Sequence, residues 1–147
     1  MTDVQGMEIA CPEGWIDRSM LVLTSSQPSP SGIAANLVVT REMLVGTERD
    51  PAGIARRLEA HVEREIARWN GKPGYGELMR RSAAPNEHTA ELRLVWQDEA
   101  EPLAQWLSFT TIDAVTVVVA AATAPCAEMA ALEPPFRAML GSLNLRH

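Results

Sequence analysis

The second half of the chain alternates strand-like stretches with connections too short to hold a helix. Stretches 75–82, 90–97, 103–112 and 115–123 are rich in Val, Leu, Trp, Phe and Thr, the residues that suit a pleated, half-buried surface. Asp98-Glu99-Ala100-Glu101-Pro102 reads as an acidic hairpin loop and Asp113-Ala114 as a tight one. Strands joined this closely run antiparallel, because a parallel partner needs a crossover of a dozen residues or so. That meander constrains the fold more than any other feature of the sequence.

The first half adds edges and a helix. A short strand is expected over 4–10, then a turn at Pro12-Glu13-Gly14-Trp15, where proline fixes φ and glycine supplies the unusual one. Strands follow over 19–24 and 36–42, separated by the loop 25–32 (SSQPSPSG). The first of these is apolar on both sides, Met20 and Val22 against Leu21 and Leu23, which predicts that both sides are covered. Asp50-Pro51 starts a helix, with Asp50 as N-cap and Pro51 in the first turn. Ile54, Leu58, Val62, Ile66 and Trp69 recur at helical spacing, with Arg56, Arg57, Glu59, Glu63, Arg64 and Arg68 away from the stripe. Asn70-Gly71-Lys72-Pro73-Gly74 stops the helix. A last helix spans 125–141, with Met129, Leu132, Phe136, Met139 and Leu140 on its apolar side and Pro134-Pro135 expected to interrupt or kink it. The pattern predicts one α+β domain over 1–147, a largely antiparallel sheet with helices gathered on one face.

Charge and motifs narrow the function. The formal net charge is -6, so no basic excess exists to neutralise nucleic-acid phosphates. Cys11 and Cys126 are far apart in sequence and read as lone thiols, not a disulfide framework or metal ligands. His61, His88 and His147 are scattered, and no glycine-rich phosphate loop or nucleophile motif occurs. These features predict no metal, no cofactor and no enzyme. The N-terminal residues carry neither a basic segment nor an apolar core of a secretory leader, and the longest apolar run, 117–122, has strand length. The expected location is cytoplasmic, without stable membrane insertion.

Side-chain alternation sorts the first two long strands into faces. Leu21, Leu23, Leu37 and Val39 suit a helix-packed core. Met20, Val22 and Val38 point the other way, beside Asn36 and Thr40, and Gln105 joins them if the strand register holds. Two readings of this second face stand. It is a further core layer under the chain's own loops, or it is a binding surface whose apolar area and scattered hydrogen-bonding groups suit a hydrophobic helix. Trp15 and Trp96 read as buried aromatics that shape the fold, and Pro12, Gly14 and Asp17 as turn builders.

Three pieces in register carry a family resemblance: Pro12-Glu13-Gly14-Trp15-Ile16-Asp17-Arg18-Ser19 entering a strand, Leu37-Val38-Val39-Thr40-Arg41-Glu42 ending one, and Trp96 followed by Gln105 and Thr110-Thr111. From about residue 9 to residue 143 the chain resembles the DcrB-like family, and within it the Eag chaperones of type VI secretion effectors. The resemblance implies a PsbP-like fold, a curved antiparallel sheet backed by helices. It implies a cytoplasmic homodimer that binds the N-terminal transmembrane helices of an Rhs or PAAR effector before loading onto the secreted spike. Carried over by position, the helix-binding residues are Met20, Val22, Asn36, Val38, Thr40 and Gln105. Typical members have isoleucines where Met20 and Val22 stand and a serine where Asn36 stands. The other reading is a DcrB-like or PsbP-like binding module with a different protein partner.

Overall fold

A computed structural model describes residues 2–4, 7–30 and 32–144, with side chains from residue 9 onward. The N-terminal strand expected over 4–10 is instead a two-stranded antiparallel ribbon, β1 (Thr2–Val4) with β2 (Met7–Ile9). The turn at residues 12–15 forms as expected: the Trp15 amide donates to the Pro12 carbonyl at 3.1 Å, and Gly14 takes φ 86°. Trp15 itself is 75% exposed, contrary to its reading as core.

The remaining strands are β3 (Met20–Thr24), β4 (Asn36–Met43), β5 (Gly76–Arg81), β6 (Thr89–Gln97), β7 (Pro102–Thr111) and β8 (Thr116–Pro125). They build one six-stranded sheet in the order β3-β4-β8-β7-β6-β5, antiparallel at every pairing. The meander from β5 to β8 is the unit that its short connections require. β4 then pairs with β8, and β3 becomes an edge.

Helix α1 (Pro51–Trp69) begins as its sequence dictates, with the Asp50 carboxylate accepting the Gly53 amide at 3.1 Å. Leu58 and Val62 are buried on the sheet, with Ile54, Ile66 and Trp69 packed beside them. Arg57, off the apolar stripe of the helix, does not face water. It is buried, and its guanidinium donates to the carbonyls of Leu44, Val45, Glu48 and Ala114. One side chain thus satisfies the turning backbone that leads from β4 into α1 and the hairpin before β8. Gly46 makes room for it: φ is 122°, and a Cβ there would collide with the Arg57 side chain.

Helix α2 (Cys126–Gly141) runs through Pro134 and Pro135 without interruption. Prolines at these positions free the carbonyls four residues earlier, on Ala130 and Ala131, and both residues are exposed to water. Packing of Met129, Leu132, Phe136, Met139 and Leu140 holds the helix on the sheet despite the missing donors.

The helices lie on opposite faces of the sheet, not on one face as expected. α1 covers Leu92, Leu94, Leu107, Phe109 and Val119. α2 covers Leu37, Val39, Trp106, Val118, Ala120 and Ala122. The reason is in β8, whose residues are apolar at both parities: Val117 and Val119 face α1 while Val118, Ala120 and Ala122 face α2. A central strand of that kind needs cover on both sides, and one helix supplies only one.

A candidate binding groove beside helix α1

α1 packs over β6 and β7 and leaves the β3–β4 end of its face open. The register brings the six residues singled out from the sequence onto that face. Met20 lies opposite Thr40 and Val22 opposite Val38 across the β3–β4 pair. Asn36 lies opposite Thr123 across β4–β8, and Thr123 opposite Gln105 across β8–β7. Directly opposed residues share a face, so Met20, Val22, Asn36, Val38, Thr40 and Gln105 form one continuous strip.

Part of the strip is the floor of a groove of about 270 Å³. Val38, Leu107, Val119 and Ala121 give it apolar area, while Asn36, Thr40, Gln105 and Thr123 give it hydrogen-bonding groups. Glu65, Arg68 and Trp69 of α1 form one wall. Beyond it, Met20 and Val22 continue the face with about half of their surface in water, at 52% and 51%. The expectation that β3 is covered on both sides fails: all of its residues are exposed. Apolar alternation records what a strand can bury, and β3 is left without cover because the strand order puts it at an edge, past the reach of either helix.

The polar groups around the groove are unequal. Glu65 is buried, accepts the Trp69 indole N–H at 2.9 Å and pairs with Arg68 at 3.3 Å. Glu42 accepts the Thr40 hydroxyl at 2.8 Å and pairs with His61 Nε2 at 2.9 Å. The His61 hydrogen bond holds the Glu42 carboxyl below its ordinary range, against burial, which pushes it up, with the Thr40 hydrogen bond adding to the lowering. His61 thus ties α1 to β4 and sets its ring edge-on to Phe109. Gln105 differs from these. It is 7% exposed, its Nε2 donates to the Thr123 hydroxyl at 3.1 Å, and its Oε1 has no partner. A buried carbonyl oxygen without a donor costs on the order of 1–3 kcal/mol.

Thr123, Ala121 and the α1 wall complete the groove beyond the six residues singled out. Thr123 does carry a signal, a hydroxyl at the end of an otherwise apolar run. The wall carries none, because its position depends on how α1 crosses the sheet. Of the other positions singled out, Trp96 is buried and stacks on Trp69 with centroids 4.6 Å apart. Asp17 accepts the Ser19 amide at 2.8 Å, as a turn builder should. Cys11 and Cys126 are free and exposed. His88 sits in the β5–β6 connection with its carbonyl accepting the Thr111 amide at 2.8 Å, while His147 lies outside the described residues. Among the described residues no group of His, Cys, Asp and Glu could hold a metal ion, and no helix is long and apolar enough to cross a membrane.

No protein-family model matches the chain. No curated protein matches it in sequence. Solved structures do resemble it. PA94 from Pseudomonas aeruginosa, a protein of unknown function, is 20% identical and superposes with a TM-score of 0.74 over 99% of this chain and 96% of that one. LpqN, involved in cell envelope biogenesis of Mycobacterium tuberculosis, is 14% identical, with a TM-score of 0.51 over 86% of this chain and 75% of that one. The Saccharomyces cerevisiae Ran-binding protein Mog1p is 12% identical, with a TM-score of 0.49 over 84% and 70% of the two chains. The likeness is one of fold. The chain shares with them an α+β architecture, a curved open antiparallel sheet with two helices.

Proposed function

We propose that this chain is a non-catalytic chaperone or adaptor that holds a hydrophobic helix of a partner protein in the groove beside α1. The observation that carries the reading is the pairing of exposed apolar area with Gln105, a buried amide whose oxygen lacks a donor. A hydrophobic helix aggregates in water, so whatever holds it must offer apolar surface. Val38, Val119, Ala121, Met20 and Val22 offer that surface. A helix with small or hydroxyl-bearing residues approaches closely and brings donors to the Gln105 oxygen.

The motif resemblance to Eag chaperones supports the finer form of the proposal. In that form the cargo is the N-terminal transmembrane region of a type VI secretion effector, held in the cytoplasm by a homodimer until the effector is loaded onto the spike. No chemistry is asked of the groove. Glu42 and Glu65, its carboxylates, are both engaged in hydrogen bonds that fix α1 to the sheet and to itself.

The direct test is co-expression with the N-terminal region of an effector carrying apolar helices, followed by co-purification. A polar amphipathic helix of equal length serves as the control. The proposal expects retention of the apolar region and none of the control. An apolar region left to aggregate, with the chain recovered alone, would overturn it.

A further inference from the structure

The exposed edge points to a partner as well as to a cargo. β3 is apolar on both sides, and both sides are open: Met20 at 52% and Val22 at 51% on the α1 face, Leu21 at 43% and Leu23 at 39% on the α2 face. Among the described residues its far edge is hydrogen-bonded to no strand. Natural edge strands are usually blunted by charge, proline or a bulge, and none of these occurs in Met20–Thr24. A second apolar hollow, of about 210 Å³, opens at the same end of the sheet on the other face, lined by Leu23, Ala35 and Leu37 below and Leu132, Phe136 and Met139 of α2 above.

A docked helix covers only one of these faces. A strand added to the edge covers both and also pairs the free backbone. We propose that the strand is β3 of a second copy of this chain, paired antiparallel about a two-fold axis at Val22, so that two six-stranded sheets join into one.

Self-pairing in this register suits the residues present. Val22 meets the partner's Val22, Leu21 meets the partner's Leu23, and Met20 meets the partner's Thr24. Each face keeps its own set, because opposed residues share a face. The partner's Leu21 arrives beside Leu23, at the mouth of the α2-side hollow. Just beyond the strand the same register carries Arg18 toward the partner's Ser26 and Asp17 toward the partner's Gln27. A chain of net charge -6 repels its copies in general, yet no like charges meet along this seam. On the α1 face the two grooves then share a continuous rim built from Met20 and Val22 of both copies.

The seam deepens the proposed homodimer and is independent of the cargo, so its test uses the chain alone. Sedimentation equilibrium compares the native protein with Leu21→Lys, Leu23→Glu and the double variant carrying both changes. Leu21 and Leu23 lie off the groove face, and circular dichroism verifies each fold. The native chain is expected at twice its 16.0 kDa mass. A two-fold seam repeats every substitution twice, and a desolvated, unpaired charge is expected to raise the dimer dissociation constant by ~100-fold or more in each single variant. The double variant sets each introduced lysine against the introduced glutamate of the other copy and is expected to recover the dimer. A native monomer at all concentrations would overturn the proposal, as would single variants that stay dimeric or a double variant that stays monomeric.

Discussion

The two ends of the sheet are built on different principles. At the β5–β6–β7 end, α1 closes one face and α2 reaches the other. Leu92, Leu94 and Phe109 are completely buried there, and Trp69 stacks on Trp96. At the β3 edge the side chains are no less apolar, but neither helix buries them and every residue of β3 is in contact with water. The strands of both ends are drawn from the same palette of Leu, Val and Met. Position in the strand order, not composition, decides which apolar residues become core and which become surface. The proposed function uses this apolar patch, rimmed by polar groups, as its interaction surface. The closed end supplies stability, and the open end is free to bind because it contributes little to that stability.

The difference predicts unequal responses to substitution. Phe109, completely buried against α1 and His61, is expected to lose ~3–5 kcal/mol on truncation to Ala. That is a large share of what holds a domain of this size together. Met20→Ala on the open strand is expected to cost well under ~1 kcal/mol, as for a surface change. Urea titration of the two variants measures both. Similar losses at the two ends would erase the distinction and turn β3 into ordinary core.

A smaller effect comes from the α2 face. Glu133 receives hydrogen bonds from Arg93 at 2.7 Å and Arg137 at 2.8 Å, and both guanidinium groups lie over the Trp106 ring, at 4.7 and 4.9 Å. The Arg93 hydrogen bond, followed by that of Arg137, holds the Glu133 carboxyl at about 2, far below its ordinary value. The folded carboxyl is thus the stronger acid. Its stabilising contribution is complete above the ordinary carboxylate range and fades as pH falls toward about 2. Solvent screens the cluster, so the effect is modest. Glu133→Gln is expected to lower the urea midpoint near neutral pH and to converge on the native protein as pH falls through about 2. A gap that persists unchanged in acid would mean that the cluster acts through packing on Trp106 and not through charge.

Much of this molecule is legible in its sequence, and the parts that are not share a cause. All six sheet strands, both long helices and the Asp50 cap follow from alternation, helical spacing and capping chemistry. The common face of Met20, Val22, Asn36, Val38 and Thr40 follows from parity and one pairing. Gln105 joins them only through β8, a strand far along the chain, and parity alone does not fix that register. Alternation shows that β8 has two apolar faces but not which helix goes to which, so the placement of α1 and α2 on opposite faces is not apparent. The same limit hides the exposure of β3. Arg57 looks solvated among its charged neighbours because its partners are backbone carbonyls, which have no sequence signature. Trp15 misleads in the opposite sense: a large aromatic usually signals core, and here it projects from a turn into water.

On the proposed function, the groove beside α1 is a binding surface and not an idle gap. Val38→Asp places a carboxylate on the groove floor while leaving the β3 edge residues intact. In water the charge is solvated and the fold survives, as thermal melting verifies. Under an apolar helix the same charge is buried without a partner, at a cost of several kcal/mol, roughly enough to abolish binding. The deciding measurement is capture of an effector's apolar N-terminal region by native and Val38→Asp protein at equal concentration. Leu21→Lys is carried alongside to separate loss of the groove from loss of the edge. Folded Val38→Asp is expected to capture nothing while the native chain retains the helix. Full capture by the folded Val38→Asp protein would place the cargo elsewhere and contradict it.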